Sequence, residues 1–292
     1  MPSGVSATEW IQGARVRTLP LALAPVILGA GSAHWAGEFD LLIFALCLGV
    51  AIALQIGVNY ANDYSDGVRG TDSNRVGPAR LTGSGRVAPE LVKRAAFVAF
   101  SCAMVFGLVL VLMSQVWALL AIGAFALVAA WFYTGGRRPY GYQGFGEVVV
   151  FVFFGWVATV GTAWAMVGAI AAETWLTGAG AGFFASSVLL VNNIRDRETD
   201  AQAGKKTLAV RLGDRGSRVL LVALLVMPYV IVALLSLVFV WAPLVFITGV
   251  MTVVVIVIVL TAQSPRELIT ALSLISVNAV LYALGLAGAI AF

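Results

Sequence analysis

From Val219 to Val240 the chain runs without one charged side chain, and the run is apolar on every face rather than along a stripe. An apolar stretch of about 20 residues is what an α-helix needs to cross a bilayer. Backbone in lipid has to satisfy its own hydrogen bonds, as a helix or a closed barrel. The strict alternation of a barrel strand is absent, so the run predicts a transmembrane helix. Eight further stretches read the same way, giving nine predicted spans at 19–36, 41–61, 90–113, 116–134, 147–167, 175–193, 218–239, 242–262 and 267–290. Composition excludes a soluble fold: of the 292 residues 61% are hydrophobic and 11% charged, against about 25% charged in an average soluble domain. The expected architecture is an all-α polytopic membrane protein, one transmembrane domain over 1–292. Its first segment, 1–18, reads as a cytoplasmic surface element in which Ser6 and Glu9 have capping-box spacing.

The charges orient this map. All 18 Lys and Arg fall on one side of it, before span one, in the loops 2–3, 4–5, 6–7 and 8–9 or at the span ends beside them, with 11 of the 14 acids. The opposite loops hold only Glu38, Asp40 and Glu173. One face is then +7 and the other −3. Cationic loops stay in the cytoplasm, so the N-terminus is expected inside and the C-terminus outside, as an odd number of spans requires. Two cytoplasmic loops are long, 67–89 and 195–217. Long loops are usually functional or disordered, and each follows directly from an acidic stretch.

Those stretches are GVNYANDYSD (57–66) and LVNNIRDRETD (190–200). Asn62 and Asp66 are four apart, as are Asn192, Asp196 and Asp200, and residues four apart share a helix face. Each stretch therefore stacks oxygen donors in one direction at the end of an apolar run. Intramembrane ionisable groups are costly and mark functional sites. Hard oxygen donors of this type suit Mg²⁺, which binds through a few carboxylates and substrate phosphates. The expected metal-reaching residues are Asn62, Asp66, Asp196 and Asp200, with Asp63, Asn192 and Asn193 beside them; Asp72 lies off the helical register. Arg137 and Arg138, in the glycine-rich YTGGRRPYGYQGFGE (133–147), and Lys205 and Lys206 are candidate phosphate donors. Tyr60, Tyr64, Trp131, Phe132 and Tyr133 lie near the acidic ends and are candidates to line a pocket, where aromatic faces would favour a cation.

With both acidic stretches in view, the chain resembles the UbiA-type intramembrane prenyltransferases. NDYSD (62–66) and DRETD (196–200) match that family's two motifs at the expected places in a nine-span chain. ARVRTLPLALAPVILG (14–29), GVNYANDYSDGVRGTD (57–72), YTGGRRPYGYQGFGE (133–147) and KTLAVRLG (206–213) are similar to the branch acting on 1,4-dihydroxy-2-naphthoate. Gly70 stands where the first motif often carries another Asp, and Arg137 and Arg138 where a Lys is common after Tyr133. The resemblance implies a cell-membrane enzyme, its site facing the cytoplasm, that transfers the chain of a polyprenyl diphosphate to dihydroxynaphthoate with loss of CO₂ and diphosphate. Its partners would be those two substrates and membrane lipid, with no nucleic acid. It also implies that Asn62, Asp66, Asp196 and Asp200 hold two Mg²⁺, that Asp63, Asp66, Asp196 and Asp200 are catalytic, and that Asn192, Asn193, Lys205, Lys206, Tyr133, Arg137 and Arg138 face the diphosphate. Arg15, Arg17 and Tyr60 would face the acceptor.

Three other readings remain. Hydroxybenzoate or haem are alternative acceptors within the same family. A CDP-alcohol phosphotransferase would share Asp63, Asp66 and Gly67 as D-x-x-D-G, but the residues from Gly70 do not continue that pattern. A cation-coupled transporter would place its carboxylates near the bilayer centre, often at broken helices, rather than beside cytoplasmic loops.

Overall fold

The computed structural model describes residues 6–71 and 80–292, and its regular structure is helical throughout them. Asp72 lies outside the described residues. Helix α1 (Ala7–Gly13) opens on the expected box: the Ser6 hydroxyl accepts from the Glu9 amide, and the Glu9 carboxylate accepts from the Ser6 amide. Then follow α2 (Pro20–Trp35), α3 (Leu41–Val68), α4 (Pro89–Ser114), α5 (Ala118–Phe132) and α6 (Gly146–Val167). The second half comprises α7 (Ala172–Arg195), the short α8 (Arg197–Gln202), α9 (Leu208–Leu235), α10 (Ala242–Thr261, its first turns 3₁₀) and α11 (Pro265–Ala291).

Among the described residues, seven helices are long and apolar enough to span a bilayer. An eighth is added if the N-terminal segment to Thr18 and α2, which meet at 48°, form one broken span. The remaining expected span, 116–134, is α5: it is apolar but 15 residues long, about 22 Å at 1.5 Å per residue, short of the roughly 30 Å hydrocarbon layer. The nine-span expectation is thus met in seven or eight.

Two boundaries move, and both matter for chemistry. Helix α3 runs to Val68 rather than 61, so NDYSD lies wholly within the helix. Helix α9 begins at Leu208 rather than 218, its start broken at Gly213, where φ is 71°. The 195–217 stretch is therefore largely helical, not an open loop. An apolar-run count misses such ends because polar residues continue the helix past the lipid.

The most extensive pairings are α3 with α4, α6 with α7, α2 with α11 and α7 with α9. Small residues let backbones approach closely, which is how membrane helices pack without a hydrophobic drive between them. A Cβ on Gly29 of α2 would stand 2.4 Å from the Thr159 carbonyl oxygen of α6, and one on Gly155 of α6 would stand 2.6 Å from the Gly178 carbonyl of α7. A π-helical turn at Val152–Val157 interrupts α6 at that contact. Gly29→Ala should therefore destabilise by about 1–3 kcal/mol, the usual cost of overpacking. Gly288→Ala, which meets nothing within 4 Å, should lose no stability. Equal thermal unfolding midpoints for the two variants in one detergent would contradict this account of the packing.

Candidate functional site

Asp66, in the last turn of α3, is 4% exposed and is met from three other segments. The Tyr142 hydroxyl, from the α5–α6 connection, donates to its Oδ1. Lys205 Nζ lies 3.3 Å from the same oxygen, and Arg80 Nη2 lies 3.6 Å from Oδ2. Burial and the Asp66 charge push the Tyr142 phenol well above its ordinary range, which keeps it protonated and a donor. Lys205 also lies 3.4 Å from Asp200 and 4.6 Å over the Tyr142 ring. Arg69 donates to the Thr134 and Gly136 carbonyls, tying the end of α3 to the start of that connection.

Helix α7 stops at Arg195, and Asp196 joins it to α8. The amide of Asp200 still donates to the Asp196 carbonyl at 2.8 Å, so the two acids keep one-turn spacing across the break. Arg195 grips Asp196 with two bonds of 2.7 Å. Burial pushes the Asp200 carboxyl up to about 6, against the opposing pull of Lys205.

The amides are oriented by neighbours. Asn62 Oδ1 accepts from Thr134 Oγ1 at 2.8 Å. Asn193 donates at 2.8 Å to Glu147 Oε1, at the first turn of α6. Because a carboxylate only accepts, that contact assigns the Asn193 amide nitrogen to Glu147 and leaves its oxygen for the chamber. Glu147 itself is 5% exposed.

These groups line a polar chamber of about 90 Å³. Its charged lining is Asp66, Asp196 and Asp200 with Arg15, Arg80 and Lys205, and Asn62, Asn192, Asn193 and Tyr133 complete it on the predicted side. Arg15, Asn62, Tyr133, Leu189 and Asn192 also line a second chamber, apolar and about 460 Å³, enclosed mainly by α2 to α6. The two adjoin through those residues. Phe153, Phe154 and Val157, from the π turn of α6, form part of the apolar wall.

Several predicted residues are not brought in. Asp63 faces away from the chamber: its two oxygens accept the Leu81 and Thr82 amides at 2.8 Å each, and it is 1% exposed. The Tyr60 hydroxyl holds the Trp10 carbonyl of α1, and Tyr60 packs away from both chambers. Arg17, Arg137, Arg138 and Lys206 are exposed and line neither chamber. Tyr64 and Trp131 stack against each other instead of lining a pocket, and Phe132 is exposed. Of the two consecutive basic pairs, Arg137 and Arg138 both face out, whereas Lys205 points in to Asp66 and Asp200 and Lys206, whose amide bonds Tyr142 O, points out. Sequence reasoning missed Tyr142, Thr134 and Arg80. The first two lie in YTGGRRPYGYQGFGE, where the paired arginines drew attention; Arg80 sits in a loop without period.

The donor set suits a hard cation: carboxylate and amide oxygens, with no nitrogen or sulfur ligand. Among the described residues no three acids form a ready metal cluster; Lys205 and Arg80 pair with Asp66, and Arg195 with Asp196.

Fold and site together define an integral membrane protein in which a small charged chamber adjoins a larger apolar one. The chain belongs to the UbiA prenyltransferase family, whose pattern matches residues 22–277. It is 45% identical over 287 residues, 98% of each chain, to 1,4-dihydroxy-2-naphthoate octaprenyltransferase of Mycobacterium tuberculosis. Against the Escherichia coli protein of that name it is 38% identical over 221 residues, 73% of this chain and 72% of the other. Among solved structures, the apo UbiA homolog from Aeropyrum pernix K1 superposes with a TM-score of 0.73 at 14% identity, covering 93% and 98% of the two chains. The UbiA homolog from Archaeoglobus fulgidus bound to DMAPP and Mg²⁺ gives 0.63 at 17%, covering 96% and 99%.

Asp63 distinguishes anchoring from metal binding. Asp63→Ala strands two buried amides, at roughly 1–3 kcal/mol each, and should open the 80–88 segment to limited proteolysis while Mg²⁺ affinity stays within about threefold. A large loss of Mg²⁺ affinity with an unchanged cleavage pattern would return Asp63 to the metal site.

Proposed function

We propose that the protein transfers a polyprenyl group from its diphosphate to 1,4-dihydroxy-2-naphthoate, releasing CO₂ and diphosphate and forming a demethylmenaquinone precursor. The observation that carries this reading is the junction of the two chambers, an acid-and-base-lined one of about 90 Å³ opening on an apolar one of about 460 Å³. A prenyl diphosphate has that polarity, and the names of the bacterial relatives supply the acceptor.

Asn62, Asp66, Asp196 and Asp200 would hold two Mg²⁺, with the Asn193 oxygen as a further donor. Bound there, Mg²⁺ supplies Lewis-acid neutralisation of the departing diphosphate. Lys205 and Arg80 face the same chamber and donate to the remaining phosphate oxygens, stabilising charge that grows as the carbon–oxygen bond breaks. Tyr142 keeps Asp66 oriented throughout. The resulting allylic cation forms where polar and apolar chambers meet, beside Tyr133, which lines both, and the apolar wall keeps water from capturing it. The ring carbon bearing the acceptor carboxylate attacks; a carbon–carbon bond forms, the carboxylate leaves as CO₂, and its bonding pair restores the aromatic ring. Arg15, at the chamber junction, receives that carboxylate, whereas exposed Arg17 does not. An orientation with the chamber opening to the cytoplasm would let a soluble acceptor enter while the prenyl tail stays in the membrane.

Purified protein with Mg²⁺ should consume prenyl diphosphate only when dihydroxynaphthoate is present, releasing one CO₂ per product. Equal use of hydroxybenzoate, or product without CO₂, would overturn the acceptor. Asp66→Ala and Asp196→Ala should each abolish diphosphate release with the fold retained, and near-normal rates in both would sink the site.

The basic pairs supply a separate test. Lys205→Met should cost at least about 100-fold in kcat, as removing a preorganised charge donor typically does. Lys206→Met and the double change Arg137→Gln/Arg138→Gln should stay within a few-fold of the parent. A reversed order in steady-state assays would move the diphosphate to the other face of those loops.

A further inference from the structure

A second polar group lies deep in the bundle, far along the fold from the acidic chamber. Asn278 is the middle residue of α11, 1% exposed. Its amide nitrogen donates to Thr252 Oγ1 at 2.8 Å and to the Tyr229 hydroxyl at 3.1 Å. Tyr229 in turn bonds Thr248 and Thr252. This is a four-residue polar cluster linking α9, α10 and α11 at mid-bilayer depth, where polar groups are expensive and tend to be functional. One acceptor in it is unmet: Asn278 Oδ1 is buried without a hydrogen-bond partner. Swapping the amide's oxygen and nitrogen would leave the nitrogen unmet instead, so neither orientation satisfies the group.

Asn278 lines the inner end of a groove of about 1000 Å³ between α10 and α11. Along α11 the groove follows Leu274, Asn278, Leu281, Gly285 and Ala289 to Phe292, one continuous helix face. Along α10 it is bounded by Thr248, Met251 and Val254, with Trp241 at its far end. Leu244, Ile247 and Val250 on its rim are 67 to 78% exposed, so in a membrane the groove opens to lipid. From Asn278 to Phe292 it extends about 20 Å along the helix axis. The glycines keep the floor low: a Cβ on Gly285 would make only ordinary contact with Val245, and one on Gly288 would meet nothing within 4 Å.

We propose that this groove is a second ligand site, for a prenylated phenol dissolved in the bilayer. The apolar chain lies along the Gly285–Phe292 face, and a ring hydroxyl reaches Asn278 Oδ1 as the missing donor. An ordinary acyl lipid fits the slot but brings no donor to the bilayer centre, since its polar group stays at the interface. The preference for a phenol over another hydroxyl rests on the proposed reaction, whose immediate product is a prenylated hydroquinone. The existence of the site rests on the groove and the unmet acceptor alone. It is separate from the reaction chambers, with which it shares no lining residue.

The test uses the full chain in nanodiscs, with farnesyl-1,4-naphthohydroquinone kept reduced, its dimethyl ether, and farnesol as probes, and binding read by native mass spectrometry. The parent should bind one more equivalent of hydroquinone than Gly288→Leu, which fills the groove from the lipid side without touching the polar cluster. Asn278→Ala should weaken that equivalent about fivefold for the hydroquinone, the scale of one neutral hydrogen bond, and leave the dimethyl ether unchanged. Prenyl transfer should persist in Gly288→Leu. Equal stoichiometry in the parent and Gly288→Leu would overturn the site. Equal affinity for hydroquinone and ether would overturn the role of Asn278, and tighter binding of farnesol than of the hydroquinone would overturn the phenol. Because binding is read without turnover, an inactive parent that still binds the extra equivalent would count against the proposed reaction and not against the groove.

Discussion

A carboxylate buried at the end of a membrane helix has to find partners, since an unpaired charge in a low-dielectric setting costs several kcal/mol. Asp66 finds Tyr142, Lys205 and Arg80, and those three come from three different connections. The pairing of one acid therefore closes the α3 end, the 80–88 segment, the α5–α6 connection and the stretch after α8 around one space. Asp63 adds to this by gripping the Leu81 and Thr82 amides, which sets Arg80 beside Asp66. The chamber is an ionic knot in which each sign of charge holds the other in place. On the proposed function, a metal-bearing diphosphate would exchange partners with the knot, Lys205 and Arg80 passing from the carboxylates to phosphate oxygens, so that each buried charge keeps a partner.

The scaffold around the knot is built by close approach rather than bulk. Gly29 against Thr159, and Gly155 against Gly178 and Gly182, bring α2, α6 and α7 to backbone contact. At the last of these contacts α6 takes a π turn. One wider turn shifts the register of everything after it, and π turns recur at functional sites for that reason. Here the turn lets the same helix give Gly155 to α7 and Phe153 and Phe154 to the apolar chamber, two demands on neighbouring residues that a regular helix meets less easily.

Helical period made much of this legible. On a 3.6-residue repeat Asn62 and Asp66 lie about 40° apart, whereas Asp63 stands about 100° round from Asn62 and about 60° from Asp66. The period favours the chamber pair, and the Leu81 and Thr82 amides on Asp63 complete the separation. The same reasoning stops at consecutive bases. Lys205 and Lys206 follow a helix end in irregular backbone, where no period applies, and it takes the contacts of Lys205 Nζ with Asp66 and Asp200 to show which side chain turns inward. Arg137 and Arg138 misled for a related reason: their neighbours bind the site, Thr134 through Asn62 and Tyr142 through Asp66, while the arginines occupy the exposed side of the same turn. Span counting failed where its assumption fails, at α5, whose 15 helical residues end before the apolar sequence does.

The distribution of packing explains how a cavity of this size is tolerated. The largest hydrophobic cluster joins α7, α9, α10 and α11 with part of α2. The clusters among α2 to α6 are smaller and sit on either side of the apolar chamber. A void forfeits the dispersion contacts of its lining, at a cost that grows with its volume, so it is carried best where a separate, well-packed half supplies the stability. Helix α7 belongs to that packed half along its length and delivers Asn192 and Asn193 into the polar chamber at its end. The acids that follow it are therefore mounted at the end of a helix packed into the largest hydrophobic cluster. On the proposed function, an apolar chain in the apolar chamber would contact its lining, linking substrate binding to the stability of the half around that chamber through the same surface.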